Sequence, residues 1–300
     1  FEICGQSIKA GTRATLSLPL PSQSSYTPMS MPIHVIHGKN AGPVVFISAA
    51  IHGDEINGIE IIRRIRHTKA VDKLAGTLIC VPTVNVYGFY NNTRNLPDRR
   101  DLNRSFPGSK NGSLAARVAR LFAEEIVDKA AYGIDLHTGS NHRANLPHIR
   151  ANLDNPECNR LAKAFGAPVV INANLRDGSL RQYALDKGLS MLLYEAGEGL
   201  RFDSLSIRGG VRGILNVLRA LNMLPKSSKK AASKVVEARS SQWVRAPQAG
   251  LMRMVVPLGA RVVAGLHREL AGVGADDAGG GVEAHRKLDL LSRLGRPPQC

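Results

Sequence analysis

Cysteine is scarce in this 300-residue chain, which contains four: Cys4, Cys80, Cys158 and Cys300. They are scattered and form no Cys-x-x-Cys pair, so a cysteine-ligated zinc site is excluded and a reducing compartment, the cytoplasm, is expected. Long apolar segments are missing as well. No run of about 18 apolar residues occurs, which excludes a membrane-spanning helix and predicts no membrane partner.

Acidic residues are few relative to basic ones: 24 Asp and Glu stand against 40 Lys and Arg, for a formal net charge of +16. Such an excess would suit a nucleic-acid-binding protein, but the basic residues are spread along the chain and no recognised nucleic-acid motif accompanies them. The clearest cluster, at 226–234, lies in a Ser/Lys stretch that is typical of a solvated linker. We therefore expect no nucleic-acid partner.

Apolar residues make up 43% of the chain, which is enough for a full core. Short apolar runs alternate with segments of helical periodicity over residues 1–225. This pattern predicts an α/β domain with a mostly parallel mixed sheet and helices on both faces. The expected strands are 31–37, 44–48, 77–81, 132–137, 169–171 and 191–195, and the expected helices are 55–66, 113–130, 156–165, 179–187 and 207–223. Residues 83–112 show no periodicity and are expected to form a long functional loop.

Residues 226–300 are predicted to hold a linker and a small, incomplete β domain. Short strands are expected at 243–251 and 255–262, similar to the opening of a lipoyl/biotinyl-like β-sandwich. No lysine lies in a matching modification hairpin, so no attached cofactor is assigned. After residue 264 the pattern fails, and the Gly/Asp-rich segment 272–281 lacks the GKS or GKT ending of a phosphate loop. This break indicates an altered or frame-shifted terminus.

Metal-ligating side chains follow two of the predicted strands. His52 and Glu55 come after strand 44–48, three residues apart, and are expected to be neighbours on the first turn of a helix. His137 ends strand 132–137. Because ligands of parallel sheets gather at the carboxyl ends of the strands, these three side chains are expected to meet. Two histidines and one glutamate suit a catalytic zinc, one per chain, which keeps a further position open.

Further carboxylates lie where they could serve such a site. Asp135 is on the same side of its strand as His137 and is expected to orient His52 or His137, because metal-binding histidines usually donate their second N–H to a carboxylate. A buried Asp135 satisfied by backbone donors is the alternative. Glu195 and Glu198 are rival candidates for the base that takes a proton from water, and their spacing does not separate them.

Four motifs in a fixed order carry a family resemblance: HGDEING at 52–58, DLNR at 101–104, DLHT at 135–138 and YEAGE at 194–198. This order resembles the succinylglutamate desuccinylase/aspartoacylase family, a relative of the zinc carboxypeptidases, over roughly residues 1–260. The resemblance implies a zinc carboxypeptidase-like fold and a zinc-hydrolase catalytic domain over 1–225. The implied reaction is hydrolysis of the amide bond of an N-acyl amino acid or a similar small acidic amide.

The resemblance also implies roles for single residues. It places the general base on Glu195. It implies that Asn103 and Arg104 hold the carboxylate of a small-molecule substrate, where an arginine fork can bind both oxygens. Arg94 or Arg99 would polarise the scissile carbonyl, and Arg99 is also a candidate for substrate binding. A solvated basic loop is the alternative explanation for these arginines.

Two other functions are compatible with the same motifs. A metallocarboxypeptidase acting on peptides would share the metal-ligand set. A non-catalytic, zinc-stabilised binding protein would also use it, but Glu195 speaks against this reading, because a structural zinc needs neither an open position nor a nearby base. The oligomeric state is left open, a homo-oligomer included.

Overall fold

The computed structural model describes residues 1–22, 26–140, 142–226, 235–240 and 257–260. Its strands are β1 Glu2–Ile3, β2 Gln6–Ser7, β3 Thr12–Leu20, β4 Met29–His37, β5 Asn40–Ala49, β6 Ala75–Val81, β7 Tyr132–Gly139, β8 Asn145–Ala151, β9 Val169–Asn172, β10 Ser190–Glu198 and β11 Val236–Ala238. Its α-helices are α1 Asn57–Arg66, α2 Val86–Tyr90, α3 Leu114–Glu125, α4 Pro156–Phe165, α5 Leu180–Asp186 and α6 Ser204–Ala220. Short 3₁₀ helices span Lys69–Lys73, Leu102–Arg104 and Val127–Lys129.

Within the described residues, nine strands form one sheet in the order β11-β9-β8-β10-β7-β5-β6-β4-β3. The central strands β10, β7, β5 and β6 are parallel to one another. β4 and β3 continue the sheet in antiparallel fashion, and β8 is antiparallel to β10 but parallel to β9. The predicted mostly parallel mixed sheet is therefore confirmed.

Alternating side chains of the central strands pack into two apolar layers, one on each face of the sheet. In β5, Val45, Ile47 and Ala49 pack in the layer that contains the inner faces of α1, α4 and α6. Phe46, which points the other way, packs in the layer formed with α2, α3 and α5. Strands buried on both faces in this way read as continuous apolar runs. Helices cover both faces of the sheet, as predicted.

Helix ends follow local sequence chemistry where a cap is present. Asn155 accepts hydrogen bonds from the backbone N–H groups at the start of α4, and Gly166 ends that helix in the left-handed region at φ 78°. Ser113 likewise caps α3. α3 itself ends at Glu125, earlier than the expected 130, where the chain tightens into a 3₁₀ turn.

Three expectations about local structure were wrong. The first helix begins at Asn57, so Glu55 lies in the preceding turn, where its N–H donates to the carbonyl of His52. β8 was not expected, because Pro147 and its polar neighbours hide any apolar alternation. The loop over 83–112 contains α2 and a 3₁₀ turn.

The first compact unit runs from Phe1 to Ala238. β11 pairs with β9, so the sheet continues beyond the expected boundary at 225. The small β domain expected over 226–300 lies almost wholly outside the described residues and stays a prediction. In the part of the chain that is described, no helix has the length and apolar content needed to cross a bilayer.

Candidate metal centre

Neighbouring parallel strands bring the candidate ligands together. β5 leads into the turn that carries His52 and Glu55, and β7, its neighbour, carries His137 near its carboxyl end. The turn after β5 is held tightly, because a Cβ on Gly53 would lie 2.0 Å from the backbone carbon of Gly88 in α2. On the other side of β7, Glu195 of β10 is in register with His137.

The carboxylate of Glu55 lies between two imidazoles. His52 Nδ1 is 2.8 Å from Oε1, and His137 Nδ1 is 2.9 Å from Oε2. One ligand atom from each of the three residues lies within 4.8 Å of the others, and all three side chains are buried. Burial alone would raise the pKa of Glu55, but the two histidines outweigh it and hold that pKa well below its ordinary value.

The far nitrogen of each imidazole faces a second carboxylate. His137 Nε2 lies 2.7 Å from Asp135 Oδ2, and Ser48 Oγ donates to Asp135 Oδ1 at 2.7 Å. His52 Nε2 lies 3.1 Å from Asp101 Oδ1. Because a carboxylate only accepts, each Nε2 can donate its N–H to its outer carboxylate, and a ring that is neutral in this tautomer would offer its Nδ1 lone pair to a metal ion.

This donor set fits a zinc ion. Two imidazole lone pairs and one carboxylate converge at a buried point, and outer carboxylates orient both rings as is usual for metal-binding histidines. Asp135 contacts His137, one of the two histidines that it was expected to orient. Asp101, which supports His52, had no role in the sequence analysis. Its partner lies 49 residues away in sequence, and the loop around it has no periodicity that would give its position.

The two arginines proposed to polarise the carbonyl differ in position. Arg94 Nη1 donates to Glu55 Oε1 at 3.2 Å, and its Nη2 donates to Asp101 Oδ2 at 3.1 Å. Arg99 is exposed, and no described hydrogen bond or ion pair joins its side chain to these residues. Both line a surface cavity of about 390 Å³ in the loop. The contacts favour Arg94 for the role that the sequence left open between them.

The two candidate bases also differ. Glu195, in register with His137, accepts a hydrogen bond from Asn145 Nδ2 to its Oε2 at 2.8 Å. Glu198 follows an irregularity in β10 and lies 3.7 Å from His142 Nδ1. Glu195 is therefore the carboxylate in the strand row of His137, whereas Glu198 faces an exposed histidine.

Asn103 and Arg104 do not act as a simple pair. Asn103 Oδ1 accepts from the backbone N–H of Leu180 at the start of α5, so this side chain fastens the loop to the helix. Arg104 donates Nη1 to the carbonyl of Asn103, and no carboxylate in the described residues pairs with it. Burial, together with Arg176 and Arg94, lowers the pKa of Arg104 and outweighs the opposite effect of Asp101.

A further buried arginine lies near Glu195. Arg181 of α5 is 8% exposed, and its Nη2 donates to the carbonyls of Ala173 and Asn174 at 3.1 and 2.5 Å. Its Nη1 is buried and has no hydrogen-bond partner in the described part of the chain. Burial, with Arg150 and Arg176, lowers the pKa of Arg181 to about 10. The only sequence signal was an arginine on the apolar side of a helix.

The fold and these contacts define a class: α/β proteins with a His-Glu-His metal-binding group at the carboxyl ends of parallel strands. Residues 41–221, more than half of the chain, match the model of the succinylglutamate desuccinylase/aspartoacylase catalytic domain. The chain belongs to this family.

Individual relatives agree with that assignment. The chain is 28% identical over 262 residues to N-alpha-acetyl-L-2,4-diaminobutyric acid deacetylase of Halomonas elongata, covering 83% of this chain and 76% of the relative. It is similar to the succinylglutamate desuccinylase/aspartoacylase of Rhodobacter sphaeroides, with a TM-score of 0.74, 26% identity and coverage of 84% and 81% of the two chains. A product-bound structure of the ectoine utilization protein EutE (DoeB) of Ruegeria pomeroyi gives a TM-score of 0.68 at 26% identity, with coverage of 75% and 71%.

Proposed function

We propose that this protein is a cytoplasmic, zinc-dependent deacylase that hydrolyses the amide bond of an N-acyl amino acid. The observation that carries the proposal is the position of the Glu55 carboxylate between His52 Nδ1 and His137 Nδ1. Glu195 lies on the neighbouring strand, in register with His137. Family membership supports an amide hydrolase. The deacetylase of Halomonas elongata supports N-acetylated amino acids as the first substrates to test.

His52, Glu55 and His137 would hold the metal, and zinc at this position would supply a Lewis acid that polarises a carbonyl and lowers the pKa of water to about 7. Asp135 and Asp101 keep the Nε2 protons in place, so both Nδ1 atoms stay free for ligation.

Glu195 and Arg94 take the reactive roles in this proposal. Glu195 accepts the proton of the attacking water and later returns it to the leaving nitrogen, so that one carboxylate acts first as general base and then as general acid. Arg94 donates its Nη1 to Glu55 and its Nη2 to Asp101, so its positive charge is held beside the candidate metal ligands. There it stabilises the oxyanion that develops as the amide carbonyl is attacked.

The substrate class follows from arginines that lack acidic partners. Arg104 and Arg181 form no ion pair in the described residues, and Arg181 is also near Glu195. The buried nitrogen without a partner belongs to Arg181, whereas Arg104 is exposed. The planar fork of Arg104 pairs with no carboxylate of the described residues, and it could bind both oxygens of a substrate carboxylate. We therefore propose a substrate with a free carboxylate, bound by Arg104 as its first contact.

The test compares substrates and variants of the zinc-loaded enzyme. Wild type should hydrolyse N-acetyl amino acids faster than peptides with free carboxyl ends, and it should prefer a free acid to its methyl ester. Arg104→Lys keeps the charge but loses the planar fork, so it should lose about ten- to a hundred-fold in kcat/KM for the acid and little for the ester. Equal rates for acid and ester in wild type would overturn the carboxylate reading.

Glu195→Gln separates a catalyst from a zinc-stabilised binding protein. This variant should retain zinc and fold while losing about 10²–10⁴-fold in turnover. Glu198→Gln is the matched control on the same strand and should stay close to wild type. If Glu198→Gln is inactive and Glu195→Gln is not, the base is Glu198. A peptide preference would favour a carboxypeptidase.

A further inference from the structure

Strand β8 reaches the candidate active site through Asn145. This strand lies next to β10, with His148 opposite Glu195 and Asn145 opposite Gly197. Asn145 Nδ2 is 2.8 Å from Glu195 Oε2. Because an ionised carboxylate only accepts hydrogen bonds, the amide N–H₂ must be the group that faces it.

The backbone that follows Glu195 is irregular against both neighbouring strands. The register of β10 shifts between Glu195 and Gly197 against β8, and between Glu195 and Glu198 against β7. Gly197 has φ 74°, and a Cβ there would lie 2.6 Å from Asn57 Nδ2, so glycine is required. Irregularities of this kind re-aim a side chain beside an active site. Glu195 is the last residue of β10 before these shifts and is still paired with His137 and His148, so the regular ladder places its backbone but does not fix the carboxylate at the end of its side chain.

We propose that Asn145 is a positioning residue that fixes the carboxylate of Glu195. The proposal rests on the proposed function, in which Glu195 is the base. A glutamate side chain has several rotatable bonds, and holding it in one geometry costs conformational entropy in every catalytic cycle unless a partner does so beforehand. The hydrogen bond to Oε2 occupies one oxygen and leaves Oε1 as the oxygen that receives the proton.

The other polar groups near Glu195 do not replace this contact. His148 Nδ1 is engaged with the carbonyl of Leu146 at 2.8 Å, and Arg181 Nη2 donates to backbone carbonyls. In the described residues, Asn145 is the side chain that has a hydrogen bond to this carboxylate.

Asn145→Ala tests the proposal in two backgrounds of the zinc-loaded enzyme. Alone it should lower kcat about ten- to a hundred-fold, the effect of losing a hydrogen bond to a charged group, with KM within about twofold of wild type. In a Glu195→Gln background it should have little further effect, because residues that act as a unit are non-additive. Asn145→Asp, which keeps the shape but removes the donor, should lower kcat at least as much.

Asn152→Ala is the matched control, since Asn152 follows the opposite end of β8 and its Oδ1 accepts from the N–H of Asp154. Its kcat and KM should match wild type. Two results would overturn the positioning role: kcat losses from Asn145→Ala and Glu195→Gln that multiply in the double variant, or an Asn145→Ala variant in which KM rises and kcat is unchanged. An inactive wild-type enzyme with full zinc would instead contradict the proposed function, so the two failures are distinguishable.

Discussion

The two histidines of the metal group are supported by different kinds of structure. His137 lies in β7, between β5 and β10, and its supporting Asp135 is two residues away on the same strand. Asp135 is fully buried and accepts a hydrogen bond from Ser48 of β5. His52 lies in a turn, and its supporting Asp101 comes from a loop and is 21% exposed.

This difference separates a rigid half of the site from an adaptable half. The sheet fixes His137 through contacts that form with the core. The loop fixes His52 and at the same time carries Arg94 and Arg104, the groups proposed to meet the substrate. Since Arg94 joins Glu55 to Asp101, movement of the loop is transmitted to a metal ligand.

The largest effect is expected on the rigid half, from Asp135→Ala. His137 Nε2 and Ser48 Oγ would be left buried without partners, which costs about 1–3 kcal/mol for each group. Zinc affinity should fall about 10–100-fold, as is typical when an outer-shell partner is lost. Urea unfolding of the metal-free protein and zinc competition with a chelator measure the two effects. Unchanged stability of the metal-free variant would contradict the rigid support of His137.

Asp101→Ala should act on the adaptable half with a different signature. Zinc affinity should again fall, by about tenfold, the lower end of the usual range. The metal-free protein should lose only about 1 kcal/mol, the cost of the cap that Asp101 provides to the N–H of Asn103, because Asp101 is 21% exposed and water can take its place beside His52 Nε2. The same two measurements apply. Equal stability losses for Asp101→Ala and Asp135→Ala would remove the distinction between the halves.

The three candidate metal ligands were the part of the site that the sequence made predictable. Buried parallel strands are visible as apolar runs, and their carboxyl ends converge by topology, so the meeting of His52, Glu55 and His137 could be expected. The predicted helical position of Glu55 was wrong, because no capping side chain marks the start of α1. Glu55 reaches the site from a turn, not from a helix.

The remaining contacts of the site were only partly predictable, since they join segments that are distant in sequence and show no shared periodicity. Asp101 meets His52 across a loop, and Asn145 meets Glu195 from a strand that Pro147 and polar residues conceal. Arg181 lies in a helix whose pattern gives its burial but not its missing partner. Motif order located the arginine-bearing loop, but it did not separate Arg94 from Arg99.

A histidine with no acidic partner in the described residues gives the smallest effect and sharpens the comparison. Burial, and then Arg66, lower the pKa of His34 to about 4. The neutral form of His34 therefore contributes stability above its unfolded pKa of about 6.5 that is lost as the pH falls towards 4. For His52 the sign is opposite: burial lowers its pKa, but Glu55 and Asp101 outweigh burial and raise it.

Urea unfolding of metal-free wild type, His34→Gln and His52→Gln at pH 7 and pH 5 checks both signs. On acidification, wild type should lose stability relative to His34→Gln, by less than about 1 kcal/mol because the ring is partly exposed and screened. Wild type should gain stability relative to His52→Gln, since a raised folded-state pKa favours the charged form that acid produces. Two differences of the same sign would mean that the carboxylates around His52 do not hold its proton, and the support assigned to Asp101 would fall with them.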